Sequence, residues 1–414
     1  MSVSLPKSMM YGSLPVAPPS TTRTLSLEPT SGSQNYNGGG SRVIFTLPGG
    51  MRNSFIRPGS MRLQFKVANT FDANGAWDNS AGCVAAIRNA DLYVGGNLVS
   101  SIQGYNAHAQ SVVDTHYSLE ENKAGNMLSG ATATRQPSAT LTAGSSGQFF
   151  ETQLYDPVFG MTQRLAYPMS AQNTKMEFEL EADAQAVFGA SITTGSCVYS
   201  QFKLRFEVVT LEESVASMLA QAHAGSYVLP LDWIRTHTQI LASPSNTTQQ
   251  TLLPIRASSI KRVVTTHRDN ANQNVITKAS ITERFNPAGN AVEDGLDQQL
   301  RIGVTYVPQD SNKIFTNIVS ATQKAVLKQD LMALANKATF LAEANGTEGS
   351  WIWAQGCGQL SGDGMTEEGL SSISSDLVVQ NKYGGVPASV VEFYSVYADA
   401  VLNIMDSGDS SIIV

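Results

Sequence analysis

The sequence has 414 residues, enough for two separate hydrophobic cores, and 42% of them are hydrophobic, ordinary for a globular chain. Lys and Arg number 27 against 34 Asp and Glu, a formal net charge of -7, which argues against a protein that grips nucleic acid through its phosphates. Charged residues are only 15%, below the usual ~25%, as expected where much of a surface packs against other subunits.

From the start of the chain, residues 1–23 lack the uninterrupted apolar core of a signal peptide. They hold Pro6, Pro15, Pro18 and Pro19, with Lys7 and Arg23 and no acid. The reading is a flexible, mildly cationic arm that orders only against a partner. The apolar runs of the chain fall far short of the ~20 residues of a membrane-spanning helix. Sequons at Asn246 and Asn345 read as plain loop chemistry.

Strand patterns dominate the rest of the first half. RVIFTL (residues 42–47) precedes a Pro-Gly-Gly turn, and Phe55-Ile56 runs into a turn at Pro58-Gly59. Residues 61–67 alternate, with Met61, Leu63, Phe65 and Val67 opposite Arg62, Gln64 and Lys66. Burying each such apolar side chain is worth roughly 1.5–3 kcal/mol before entropy is subtracted. Residues 84–94 and 98–102 are split by Gly95-Gly96 as a hairpin would be. Residues 106–118 suit a short helix, and 127–147, rich in Ala, Ser, Thr and Gly, a long exposed loop. Residues 148–154 return to β, and KMEFELE (175–181) places Met176, Phe178 and Leu180 inward.

The middle of the chain organises the rest. In residues 201–208, Phe202, Leu204, Phe206 and Val208 alternate with Gln201, Lys203, Arg205 and Glu207, a half-buried strand. Thr210 with Glu213 then forms a predicted capping box, and Val215, Met218, Leu219 and Ala222 make one apolar helical stripe that Gly225 ends. Tyr227, Val228 and Leu229 resume β. The expected organisation is an arm at 1–23, a β domain at 24–210, a linking helix at 211–225 and a second β domain at 226–414, each within ordinary domain size.

The second half repeats the style without repeating the sequence. Strands are expected at 259–266, 275–283 and 299–307, a helix at 313–336, and further strands at 351–354, 373–380, 390–397, 401–405 and 412–414. Many short strands punctuated by Gly and Pro argue for sandwiches or jelly rolls.

In that order, several phrases resemble the double-jelly-roll major capsid proteins of icosahedral viruses, the lineage of tectiviruses, adenoviruses, virophages and polinton-like viruses. They are SIQGYNAHAQSVVDTHYSLEENKAGNMLSG (101–130), LYDPVFGMTQRLAYPMSAQNTKMEFELE (154–181), QLRIGVTYVP (299–308) followed by a helix, and VVEFYSVYADAVLNI (390–404). In order they are spread from residue 101 to residue 404, and the length of the chain suits the compact phage-like members. The resemblance implies two consecutive eight-stranded jelly rolls joined by a short helix, with one longer helix in the second. It implies a homotrimer that forms a pseudo-hexagonal capsomer, then capsomer–capsomer contacts in the shell of a virion. Further implied partners are penton and minor capsid proteins, and an internal membrane reached through the N-terminal arm. Sequence-specific nucleic-acid binding and cofactors are not implied.

Candidate chemistry is sparse. His108, Asp114, His116 and Glu120 form the most enzyme-like cluster, but the histidines are eight apart, which breaks the spacing by which cupins hold a metal. His116 and Glu120 suit a surface pair on a helical turn. Asp363 with Glu367-Glu368 reads as a solvated turn, and Gly38-Gly39-Gly40 lacks the strand-to-helix setting of a nucleotide loop. Cys83, Cys197 and Cys357 have neither disulfide-framework nor zinc spacing and read as free buried thiols. No GxSxG, P-loop or HExxH occurs. Catalytic, cofactor-binding and metal-binding residues are therefore expected to be none. The alternatives are a two-domain carbohydrate- or receptor-binding β protein using Trp77 or the Trp351/Trp353 pair as a platform, and a bicupin enzyme.

Overall fold

The structure, a computed structural model, describes residues 20–32, 34–77, 82–116, 140–160, 165–189, 191–242, 248–270, 296–313, 352–357, 359–360, 367–383 and 389–414. The strands of the first half are β1 (Ser20–Leu27), β2 (Asn35–Asn37), β3 (Arg42–Thr46), β4 (Ser54–Ile56), β5 (Arg62–Asn69), β6 (Gly75–Trp77), β7 (Ile87–Val94), β8 (Asn97–Gln103), β9 (Thr140–Leu141), β10 (Ser145–Gln153), β11 (Tyr167–Pro168), β12 (Lys175–Leu180), β13 (Val187–Phe188) and β14 (Cys197–Leu211). A helix, α1 (Tyr105–His116), comes after β8, and α2 (Glu213–Ala222) after β14. The second half holds β15 (Ser226–Ala242), β16 (Thr248–Leu253), β17 (Ile260–Asp269), β18 (Leu296–Ile302), β19 (Thr305–Lys313), β20 (Ile352–Gly356), β21 (Gln359–Leu360), β22 (Glu367–Glu368), β23 (Leu377–Tyr383), β24 (Ser389–Met405) and β25 (Ser410–Ile413).

The long strand β14 is the spine of the first half. Its alternation buries Phe202, Leu204, Phe206 and Val208 on one face. Along one edge it pairs with β5 and β4, and along the other with β1 and β2. With β10 and β11 these make a seven-stranded sheet. β12, with Met176, Phe178 and Leu180 all buried, lies in a second sheet between β3 and β7. Aromatic rings fill the interior: Phe65 stacks on Phe202 at 5.1 Å, and the Trp77 ring meets Phe150 edge-on at 5.2 Å.

The second half is built on β24. It pairs along all of β15, from Ser226↔Met405 to Ala242↔Ser389, and on its other edge with β17 and β25. β16, β23, β18 and β19 form a separate four-stranded sheet. The two halves are not merely tethered. β15 meets β8 at a parallel contact, Arg235↔Ser101, so one nine-stranded sheet runs through both. α1 lies against β24, the Phe55 ring touches Tyr227 at 5.8 Å, and the Ser410 hydroxyl donates to the Val94 carbonyl at 2.7 Å.

Several expectations need correction. QLRIGVTYV is a hairpin, not one strand: β18 turns at Gly303, whose φ of 60° favours glycine, and returns as β19. The apolar alternation continues on both sides of that turn, so periodicity alone does not reveal it. Residues 390–397 and 401–405 belong to one strand, because ladders on both edges override the weak β preference of Ala398-Asp399-Ala400. Residues 82–86 are a 3-10 turn before β7. Thr210 does not cap α2. It finishes β14, its hydroxyl 3.2 Å from that of Ser54, and the helix starts after Glu212 with no side-chain cap. The apolar stripe of α2 is not buried, Met218 being 70% exposed. The helix therefore does not set how the halves meet; the shared sheet and α1 do. Of the expected arm, Ser20–Arg23 begin β1, held by the edge of β14, and residues 1–19 lie outside the described residues. The strand at 275–283, the helix at 313–336 beyond Lys313, which ends β19, and most of the loop at 127–147 also lie outside them.

Candidate functional site

Only one of the enzyme-like quartet has a described side chain. His108 sits on α1, buried, its Nε2 3.1 Å from the Tyr155 carbonyl and its Nδ1 3.3 Å from the Ser395 hydroxyl. A carbonyl only accepts, so Nε2 carries the proton and Nδ1 accepts from Ser395. Burial, with the nearby Arg262 charge, pushes the imidazole down to about 4, against the lift from Tyr155. It is therefore a neutral strut between the halves, since Tyr155 belongs to the first and Ser395 to the second. Glu120 and the side chains of Asp114 and His116 lie outside the described residues, as does Asp363. Glu367-Glu368 form β22 against β21 rather than an open turn.

The glycine run at 38–40 closes a turn: the Gly39 and Gly40 amides donate to the Glu181 and Leu180 carbonyls, both at 2.9 Å. The three cysteines are free and buried, and burial pushes the Cys357 thiol up to about 12, far from a reactive thiolate. The basic pairs Lys261-Arg262 and His267-Arg268 are not a phosphate-binding surface. They lie on β17, where Arg262 and Arg268 are buried with their guanidinium groups 4.4 Å from the Tyr397 and Phe393 ring centroids. Trp77 and Trp353 have no exposed surface and so offer no platform for a sugar, and Trp351 lies outside the described residues.

Sequence reasoning missed the densest group of polar side chains. Glu392, on β24, is fully buried between the two sheets of the second half. One carboxylate oxygen accepts from Asn381 Nδ2 at 2.6 Å and from the Tyr383 hydroxyl. The other accepts from Thr251 Oγ1 at 3.0 Å and from the Tyr394 hydroxyl. His267 Nε2 is 3.0 Å from the Tyr383 hydroxyl and 3.8 Å from the carboxylate, and Gln298 donates to Asn381 at 2.7 Å. Burial pushes the Glu392 carboxyl up, but the hydrogen bonds and charge of His267 and the two tyrosine hydroxyls outweigh it and hold the carboxyl below its ordinary range. Burial, then the Glu392 charge, raises both Tyr383 and Tyr394 well above the usual phenol value. Both carboxylate oxygens are satisfied by the protein itself, and among the described residues no three His, Cys, Asp or Glu are placed to hold a metal. The cluster ties β16, β17, β18, β23 and β24 together; it is a structural clasp. The signal was a lone acid in the apolar run SVVEFYSVY, since Glu is almost never buried without partners.

No protein-family model and no curated protein matches the sequence. Solved structures do match its fold. VP54 of PBCV-1 aligns over 97% of this chain and 98% of its own, with a TM-score of 0.66 at 12% identity. The major capsid protein of Faustovirus aligns over 98% and 93% with a TM-score of 0.64 at 8% identity. A chain of the Sputnik virophage aligns over 100% and 93% with a TM-score of 0.63 at 12% identity. With strands in antiparallel sheets through both halves and a likeness that runs nearly end to end, the chain has the double-jelly-roll fold of viral major capsid proteins.

Proposed function

We propose that the chain is a viral major capsid protein, a structural subunit of the virion shell and not an enzyme. One observation carries this reading: the likeness to VP54 of PBCV-1 spans 97% of this chain and 98% of that one, so the two folds correspond nearly end to end. Three copies, each with two β units side by side, give six similar units around one axis, and a near-hexagonal block tiles a surface. The division into an arm at 1–23, β units at 24–210 and 226–414 and a link at 211–225 is part of the proposal. Penton and minor capsid proteins, and an inner membrane approached by the N-terminal segment, are its further partners.

The low charge density and the interior clasps support the reading, since a tile must be stiff and must pack against others. Light scattering with electron microscopy of the purified protein tests it. Trimers that associate into particles with three-lobed or hexagonal blocks are expected. A monomer that stays monomeric at high concentration and binds glycans would overturn it in favour of the carbohydrate-binding alternative.

A further inference from the structure

One face of β24 changes character along its length. Phe393, Ser395 and Tyr397 are the stretch that faces α1 and its approach: Gly104 closes on the Phe393 ring, and His108 contacts Ser395 and Tyr397. The same alternation continues through Asp399, Val401, Asn403 and Met405. There the face opens. Pairing aligns Pro230, Val401 and Ile413 in one row, Val228, Asn403 and Ser411 in the next, and Ser226 with Met405 in a third. Val228 is 55% exposed, Ile413 68% and Met405 42%, and Pro230 is exposed beside them. Apart from Asn403, Ser411 and Ser226, this is a clustered apolar patch, not scattered single residues. Its rim is acidic. Asp232 and Asp399 flank one end, sharing Lys261 at 2.8 and 2.7 Å, and Asp406 and Asp409 lie in the turn to β25 at the other.

A fitting occupant is apolar and cationic. Residues 1–19 carry Leu5, Met9, Met10, Leu14 and Val16 with Lys7 as their one charged side chain, and the first acid of the chain is Glu28. Their point of attachment is close to the patch. Ser20 pairs with Leu211, whose amide donates to the Asn53 carbonyl at 2.8 Å, and two residues on the Phe55 ring contacts Tyr227, which precedes Val228 on β15 and lies on the other face of that strand. Nineteen residues reach as far as about 60 Å when extended. That is several times the ~15 Å length of the ten-residue helix α2, which joins β14 to β15.

We propose that this patch is the seat of the chain's own N-terminal segment, residues 1–19, its apolar side chains covering Val228, Pro230, Val401, Met405 and Ile413 and Lys7 answering the acidic rim. The inference goes beyond the capsid reading and is tested on unassembled protein, so it fails or survives whether or not particles form. The measurement is hydroxyl-radical oxidation of Met405, with Met218 on α2 as an internal control outside the patch. In the full chain Met405 is expected to oxidise several-fold more slowly than in a chain beginning at Ser20, with Met218 equal in both. Ile413→Asp, an exposed site that leaves the core untouched, should expose Met405 as the truncation does, and Lys7→Glu should do so in part. Equal Met405 oxidation in the full and truncated chains overturns the proposal. So does protection that vanishes on dilution, which would mean contact between copies, or protection that appears only with lipid vesicles.

Discussion

The interiors of the two halves are filled differently. In the first, Phe65, Trp77, Phe150, Tyr199 and Phe202 stack ring on ring, and the energy is area removed from water. In the second, Glu392 sits at the centre of the sandwich, and the two sheets are joined by hydrogen bonds to a buried charge. That ring cluster carries no charge at neutral pH and rests on packing alone. A clasp around a carboxylate fixes one register and fails when any partner is removed, because the rest are left desolvated. The same fold is thus held in two ways, and perturbations should separate them.

The largest effect is expected in the first interior. Leu204→Asp places a charge with no partner in the buried face it shares with Phe202 and Phe206, and should abolish soluble protein, as should Met176→Asp. Recovery of normally assembling protein from either variant would break the account of the β14 and β12 faces. Glu392→Ala should come next, costing about 3–5 kcal/mol in denaturant unfolding, since Tyr383, Tyr394, Thr251 and Asn381 all lose their shared acceptor. A loss no greater than that of an exposed-site substitution would mean the clasp contributes nothing.

Acid sharpens the comparison further. His108 has a folded-state value pushed down to about 4, below the ~6.5 of an unfolded imidazole. The neutral ring's contribution is therefore complete above about pH 6.5 and is lost as pH falls from there to about 4, for about 3 kcal/mol in all. Glu392 acts in the same direction: its lowered value gives stability above the unfolded carboxyl value that disappears as pH falls through the folded one. Asp156, pushed up to about 6 by burial, acts oppositely and offsets part of the loss. Comparing the wild type with His108→Gln isolates the first contribution. The variant's stability curve should be flatter between pH 6.5 and 4, and parallel curves would remove the strut between the halves.

Legibility in the sequence was set by the kind of signal each pattern can carry. Period-two alternation located β5, β12 and β14 with the correct inward faces, because each has one buried and one wet face. It failed at β18 and β19, where alternation runs through the turn, and at β24, where both faces of the strand are covered for most of its length. Three-dimensional partnership left no periodic trace at all. Nothing local in the sequence links Glu392 to Thr251 and His267, or His108 to Ser395, 287 positions away.

The smallest expected effect bears on the joint itself. α2 has the amphipathic stripe of a packed helix, yet only Ala216 in it is buried, and the halves already share a sheet, α1 and the C-terminal hairpin. Met218→Ser should then change unfolding by no more than about 0.5 kcal/mol, as substitutions at exposed sites do. Ala216→Asp, at the one buried position, should cost more. A large loss from Met218→Ser in the isolated protein would return the helix to the role its stripe suggests. A small loss there, together with weakened particles, would place the stripe at a contact between copies, where an apolar helix face left open on the single chain has its use.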